Sequence, residues 1–333
     1  NQTTSAYVMD NWHVTQRLSL QLGVRYDALP HAWERQNFVS NFDPNLYLTS
    51  QMPNYVGNPS QLDPNGPGFA TVNGQRFYLN GIYLAGQNGQ PVGLVTNDYA
   101  TIQPRVGFSE DIFGTGKTVL RGGIGSFYER MQGNDIYNAA TTVPFFNYPS
   151  ASGVYLSNPS TSYVTGSTAA QPFFAQSATT LARKYPAPGV AQFSLGLQHE
   201  ISPSVVAVVQ YVGNLAWHQN INRQINTYPI NTPLAIRANA GDSSNKTGTN
   251  PGGASLSNPD FYRNFVGFGN INQQENTTNG NYNGFQTGVR VQNRWGLSGE
   301  LDYTRSHETD LTSYDLNGIS NPFNLKYDKG SGA

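Results

Sequence analysis

Four times along the chain, two stretches of roughly ten residues alternate apolar with polar side chains, and a turn of only three or four residues joins them. Side chains of an extended strand point to opposite faces in turn, so period-2 alternation makes one face apolar and the other polar. The clearest stretch is 18–27, where Leu18, Leu20, Leu22, Val24 and Tyr26 alternate with Ser19, Gln21, Gly23, Arg25 and Asp27. A strand of about 9–11 residues is long enough to cross a bilayer at a tilt. Such strands, paired by short turns and separated by long loops, describe an all-β fold, the wall of an antiparallel up-and-down transmembrane β-barrel.

The spacing predicts four hairpins: 5–14 with 18–27 around Thr15-Gln16-Arg17; 102–113 with 118–130 around the turn 114–117; 191–201 with 205–214 around Ser202-Pro203-Ser204; and 284–292 with 297–306 around the turn 293–296. In the first strand both alternating sets are apolar, and Asp10 is expected on the polar, inward face. Long loops are expected over 30–101, 131–190, 216–282 and from His307 onward. In bacterial outer-membrane barrels the short turns lie on the periplasmic side, the long loops outside, and aromatic residues ring both interfaces. Trp12, Phe113 and Trp295 sit beside the turns, while Tyr26, Tyr128, Tyr211 and Tyr303 lie towards the other strand ends. The general preference of aromatic residues for strands would place the same residues there.

Composition narrows the alternatives. Only 12% of residues are charged, against about 25% in ordinary soluble domains. No run approaches the ~18 consecutive apolar residues of a helical span. A formal net charge of −1 lacks the basic footprint of a nucleic-acid partner, and the absence of cysteine removes disulfides and thiolate metal sites together.

The stretches YVMDNWHVTQRLSLQLGVRYD, IQPRVGFSEDIFGTGKTVLRGGIGSFYER, QFSLGLQHEISPSVVAVVQYVGN and YNGFQTGVRVQNRWGLSGELDYTRS resemble successive wall segments of TonB-dependent outer-membrane receptors, and most of all the Oar-like group. The similarity covers the strands and leaves the loops unmatched. It implies a twenty-two-stranded barrel in the outer membrane, a plug in its lumen and energisation through a TonB-contacting box. The chain, 1–333, would then be about eight strands of that wall, with signal peptide, plug and C-terminal strands lying beyond it. Eight strands cannot close a lumen of that size.

Motifs for chemistry are weak. The segment 111–118 nearly spells a phosphate-binding loop, but Asp111 stands where its first glycine belongs and a strand pattern follows where a helix is needed. Gly122, Gly123 and Gly125 lack the strand-to-helix context of a dinucleotide fingerprint. The five histidines show no metal-ligand spacing, no nucleophile elbow occurs, and the acidic and amide stretch 310–317 lacks the closing Glu of a calcium loop. Neither catalysis nor a cofactor is expected.

The charges expected to face the lumen are Arg25, Asp111, Arg121, Arg290 and Glu300. If Gly114 pairs with Thr118, Asp111 lies opposite Arg121; a turn centred on Trp295 sets Arg290 opposite Glu300. Opposite-charge cross-strand pairs contribute roughly 0.2–1 kcal/mol each, which suits bracing of the wall more than contact with a solute. Among the loop amides lie Trp33, Tyr47, Tyr55, Phe145, Phe146, Tyr148, Phe261 and Tyr262. They could stack on a captured sugar or peptide, or pack the loops into a cap.

The expected function is uptake of a bulky solute, an oligosaccharide, peptide or chelated metal, by binding and gated passage. The expected partners are outer-membrane lipid, the solute, and the TonB complex through a region N-terminal to this chain. The alternatives are a passive porin or structural or adhesion barrel and, second, a soluble carbohydrate-binding β-protein. The apolar stripes Leu18/Leu20/Leu22/Val24 and Phe193/Leu195/Leu197 argue against the latter.

Overall fold

The computed structural model describes residues 2–56, 61–146, 175–228, 262–311 and 318–332. Eight long strands carry the architecture: β1 (Thr4–His13), β2 (Leu18–Ala28), β3 (Ile102–Asp111), β4 (Thr118–Tyr128), β5 (Gly189–Ser202), β6 (Val205–Gln224), β7 (Phe268–Arg294) and β8 (Leu297–Asp310). Each is antiparallel to its sequence neighbours in one continuous sheet. All four expected hairpins are present. Among the described residues the outer edge of β1 has no strand beside it, while the far edge of β8 pairs only at its tip, with Gly330–Ser331.

Directly opposed residues share a face, so the register carries the alternation across the sheet. Leu22 lies opposite Val106, Val106 opposite Ile124, and Ile124 opposite Phe193. Leu18 connects in the same way through Glu110 and Leu120 to Leu197 and Val209. The stripes of β2 and β5 therefore form one apolar face, on which Trp12, Tyr26, Tyr128, Tyr211 and Tyr303 also lie. Asp10 departs from expectation, because it pairs directly with Leu22 and stands on the apolar face. The first turn decides this: Thr15 Oγ1 accepts from the Arg17 and Leu18 amides at 3.1 and 3.0 Å, and that fixes the register.

The turns also reveal a tilt. One cross-strand line runs through Arg17, Asp111, Val119, Gln198, Val208, Gly288 and Asp302. It passes one residue from the apex of the first turn, four from the second, five from the third and seven from the fourth. The stagger is about one residue per strand; with ~3.3 Å rise and ~4.8 Å spacing, a level row of turns requires a strand tilt of roughly 35°. Barrel strands tilt by about 35–45°.

Several boundaries differ from the sequence reading, three of them by more than three residues. β6 continues to Gln224 and β7 begins at Phe268, so parts of the expected loop 216–282 are strand, and β8 runs on to Asp310. The added length carries Asn220, Asn222 and Gln224 opposite Asn276, Gln274 and Asn272. Amides on this stretch give no apolar face to read. The edge of β7 left open above β8 is filled in parallel by Gln176–Leu181, drawn from the second long loop. The free edge of that segment is closed by Asn41, whose side chain accepts from the Leu181 amide and donates to the Leu181 carbonyl, both at 2.8 Å.

The described parts of the long loops fold into a cap. The first contains three small ladders, Ser40–Phe42 with Ile82–Leu84, Tyr55–Val56 with Gln61–Leu62, and Phe69–Val72 with Gln75–Tyr78. One apolar core gathers Phe42, Tyr55, Leu62, Tyr78, Val266, Phe268 and Ile271. A second gathers Val39, Tyr83, Ala85, Leu94, Val95, Ala139, Leu181 and Tyr185. Both draw on loops far apart in sequence.

Candidate functional site

The side of the sheet opposite the apolar stripes carries Arg25, Asp111, Arg121, Arg290 and Glu300. Arg290 pairs with Glu300 in the register, its guanidinium donating to both carboxylate oxygens at 3.0 Å. The pair borders a hollow of about 530 Å³ near the short turns, lined also by Gln198, Gln210, Gln286 and Asp302. Arg25 pairs with Asp27 at 2.8 Å, and Gln103 also donates to that carboxylate.

The expected Asp111–Arg121 pair is not formed. Asp111 lies opposite Val119, and Arg121 opposite Ser109. The connection is longer than the four-residue turn supposed, because the Asp111 carboxylate is used within it. Its oxygens accept from the amides of Gly114 (3.0 Å) and Gly116 (2.7 Å), both glycines at positive φ.

The loop aromatics divide by burial. Tyr55 lies within the first cap core and Tyr47 packs against it, donating its hydroxyl to the Val266 carbonyl at 2.9 Å. Burial pushes the Tyr47 phenol up from its ordinary value. These two side chains pack the cap and offer no open platform. Trp33 is 51% exposed, and Phe145 stacks at 5.5 Å on Phe38, itself 55% exposed. Phe146 is partly buried, and the Tyr262 phenol is raised by burial. Tyr148 and Phe261 lie outside the described residues. Phe38 is a loop aromatic that sequence reading passed over.

At the base of the cap, His31 is buried against Tyr185, with Nε2 2.6 Å from Met131 Sδ. Asp98, Glu129 and Arg130 line the same small cavity. Burial pushes His31 down to about 4, with the Arg130 charge adding to the effect. A pKa lowered on folding favours the neutral ring, so this contribution is complete above pH 6.5 and is lost as pH falls towards 4. The linkage reaches roughly 3 kcal/mol at most. Cap loops should become protease-sensitive between pH 6.5 and 4, and His31→Gln should flatten that dependence; an unchanged pH profile in the variant would refute the assignment.

Among the described residues there is no group of three or more His, Cys, Asp or Glu placed to hold a metal ion, and no helix is long and apolar enough to cross a membrane. The membrane argument rests on strands, and the comparisons bear on it directly. A family profile described as "Outer membrane beta barrel domain" matches residues 1–333. The chain belongs to this family. The sheet is therefore part of an outer-membrane β-barrel wall, and the protein resides in the outer membrane.

No curated protein sequence matches the chain significantly. Among solved structures it resembles the outer membrane transporter YddB from Escherichia coli, with 14% identity and a TM-score of 0.43, covering 93% of this chain and 25% of that one. The siderophore receptor PirA from Pseudomonas aeruginosa matches with 12% identity and a TM-score of 0.36, over 92% and 36%. The FrpB iron transporter from Neisseria meningitidis matches with 9% identity and a TM-score of 0.35, over 92% and 35%. The chain thus spans well under half the length of these proteins.

Proposed function

We propose that the chain is part of the wall and extracellular cap of a TonB-dependent receptor of the Oar-like group. In this reading it takes up a bulky solute, an oligosaccharide, peptide or chelated metal, without bond chemistry. The polar face, with Arg25, Asp111, Arg121, Arg290 and Glu300, looks into the lumen, and further strands of a longer protein continue the wall from the open edge of β1.

The observation that carries the proposal is the cap. Its loops share two apolar cores, and one loop adds a strand to the wall itself, giving a packed surface from which Trp33 and the Phe38–Phe145 pair can meet a solute. Passive diffusion requires no such platform. Deleting the gene should abolish growth on the transported solute, and deleting TonB or collapsing the proton-motive force should have the same effect. Uptake that persists without TonB would favour a porin. Trp33→Ala should weaken solute capture while leaving the barrel folded, whereas capture unchanged by that substitution would place the platform elsewhere.

A further inference from the structure

The surroundings of His31, near the start of the first long loop, fix which of its ring nitrogens carries the proton. The Asn97 side chain accepts from the His31 amide at 2.7 Å and pins the backbone. Nδ1 stands 2.9 Å from the Ala32 carbonyl, which can only accept, so Nδ1 donates. Burial keeps the ring neutral at pH 7, and a neutral imidazole with its proton on Nδ1 presents a bare lone pair at Nε2. That lone pair faces Met131 Sδ at 2.6 Å, and a thioether has no proton to offer. Two electron-pair donors therefore meet with no hydrogen between them.

Met131 begins the second long loop and packs against the second cap core, yet its sulfur is turned to the ring. Beside the pair lies a small cavity of about 20 Å³, room for one water-sized occupant. His31 is only 8% exposed and the Tyr185 ring stands edge-on to it at 6.0 Å, so residues of this chain already enclose the imidazole. Two carboxylates, Asp98 and Glu129, line the cavity against one guanidinium, Arg130, a net charge of −1. An imidazole nitrogen beside a thioether sulfur, with one excess negative charge around them, suits a soft monovalent cation. Thioether sulfur selects Cu(I), whereas hard cations prefer oxygen. At the usual metal–nitrogen and metal–sulfur lengths, about 2.0 and 2.3 Å, the two ligand atoms must open to roughly 4 Å. The three rotatable bonds of the methionine side chain supply that shift.

We infer that His31 Nε2 and Met131 Sδ bind one Cu(I) ion at the base of the cap. The ion ties the start of the first long loop to the start of the second, and a ligand held only by the folded cap stabilises it. Zn(II) requires further ligands, and among the described residues no three His, Cys, Asp or Glu side chains converge to supply them. The inference rests neither on the solute taken up nor on TonB.

The test is titration of the full-length protein in detergent, with Cu(I) under ascorbate in competition with bicinchoninate, and separately with Ag(I), a redox-inert ion of the same charge and softness. The unaltered protein should take up one equivalent of either ion more than Met131→Leu, which conserves volume and removes the sulfur. His31→Gln should weaken that equivalent by about tenfold or more, since even a group that only orients a metal ligand is worth that much. Cu(I) should also slow trypsin cleavage of the cap loops in the unaltered protein and in neither variant, while matching cleavage patterns without metal show that the variants keep the cap. A second measurement needs no variant: in the unaltered protein Ag(I) should protect Met131 from oxidation by peroxide, read by mass spectrometry of the peptide that contains it. Equal uptake by all three proteins overturns the inference, as does a Met131 oxidised equally fast with and without Ag(I), or Zn(II) displacing Cu(I) from this equivalent. None of these outcomes bears on TonB, so their failure leaves the uptake reading standing.

Discussion

Leu197→Arg should destabilise the folded barrel by about 2–4 kcal/mol, the cost of a cation near the bilayer midplane on the lipid face. Gln198→Arg, one residue further, should cost less than about 0.5 kcal/mol, as a surface substitution does. Leu197 sits between Leu120 and Val209 on the apolar stripe, whereas Gln198 sits between Val119 and Val208 on the opposite face. Equilibrium unfolding of the two full-length variants from lipid vesicles measures the contrast. Equal costs would mean that the faces have been assigned the wrong way round.

Phe42→Ala should cost about 3–5 kcal/mol, the range for emptying a large aromatic from a core. Phe42 is fully buried, with the rings of Phe265 and Phe268 at 5.0 and 5.2 Å. Because the core lies in the cap, the loss should appear as loop cleavage by protease while the wall keeps its resistance to unheated detergent. If the loops of the variant resisted protease as well as before, the cap would not be held by this cluster.

The wall was legible in the sequence because lipid and water lie on opposite sides of it. In 18–27 and 191–198 each side chain reports its solvent, and the alternation follows. Above the membrane that asymmetry ends. The paired amides Asn222 and Gln274, or Asn220 and Asn276, belong to the same two strands as the pairs below, beyond a register shift at 216–220, yet nothing in their hydropathy shows it. The parallel segment Gln176–Leu181 is hidden for the same reason, and its partner is more than ninety residues away.

The errors at particular residues have equally local causes. Asp10 was ambiguous because both faces of its strand are apolar, and only the Thr15 turn fixes its side. Asp111 was paired with Arg121 on the assumption of a tight turn, whereas its carboxylate organises a longer one. Tyr47 and Tyr55 sit among polar loop residues, and only the tertiary fold brings Phe268 and Ile271, from the start of β7, against them.

The central claim is that one face of this sheet meets lipid and the other an aqueous lumen. Residues 1–333 contain no cysteine, so single cysteines introduced along β5 from 191 to 198 in the full-length protein can carry spin labels without background from this region. Collision rates with membrane-soluble oxygen and with a water-soluble nickel chelate should alternate with a period of two. Positions 191, 193, 195 and 197 should favour oxygen, and 192, 194, 196 and 198 the chelate. A profile without that alternation, or one with the two sets reversed, would contradict the account.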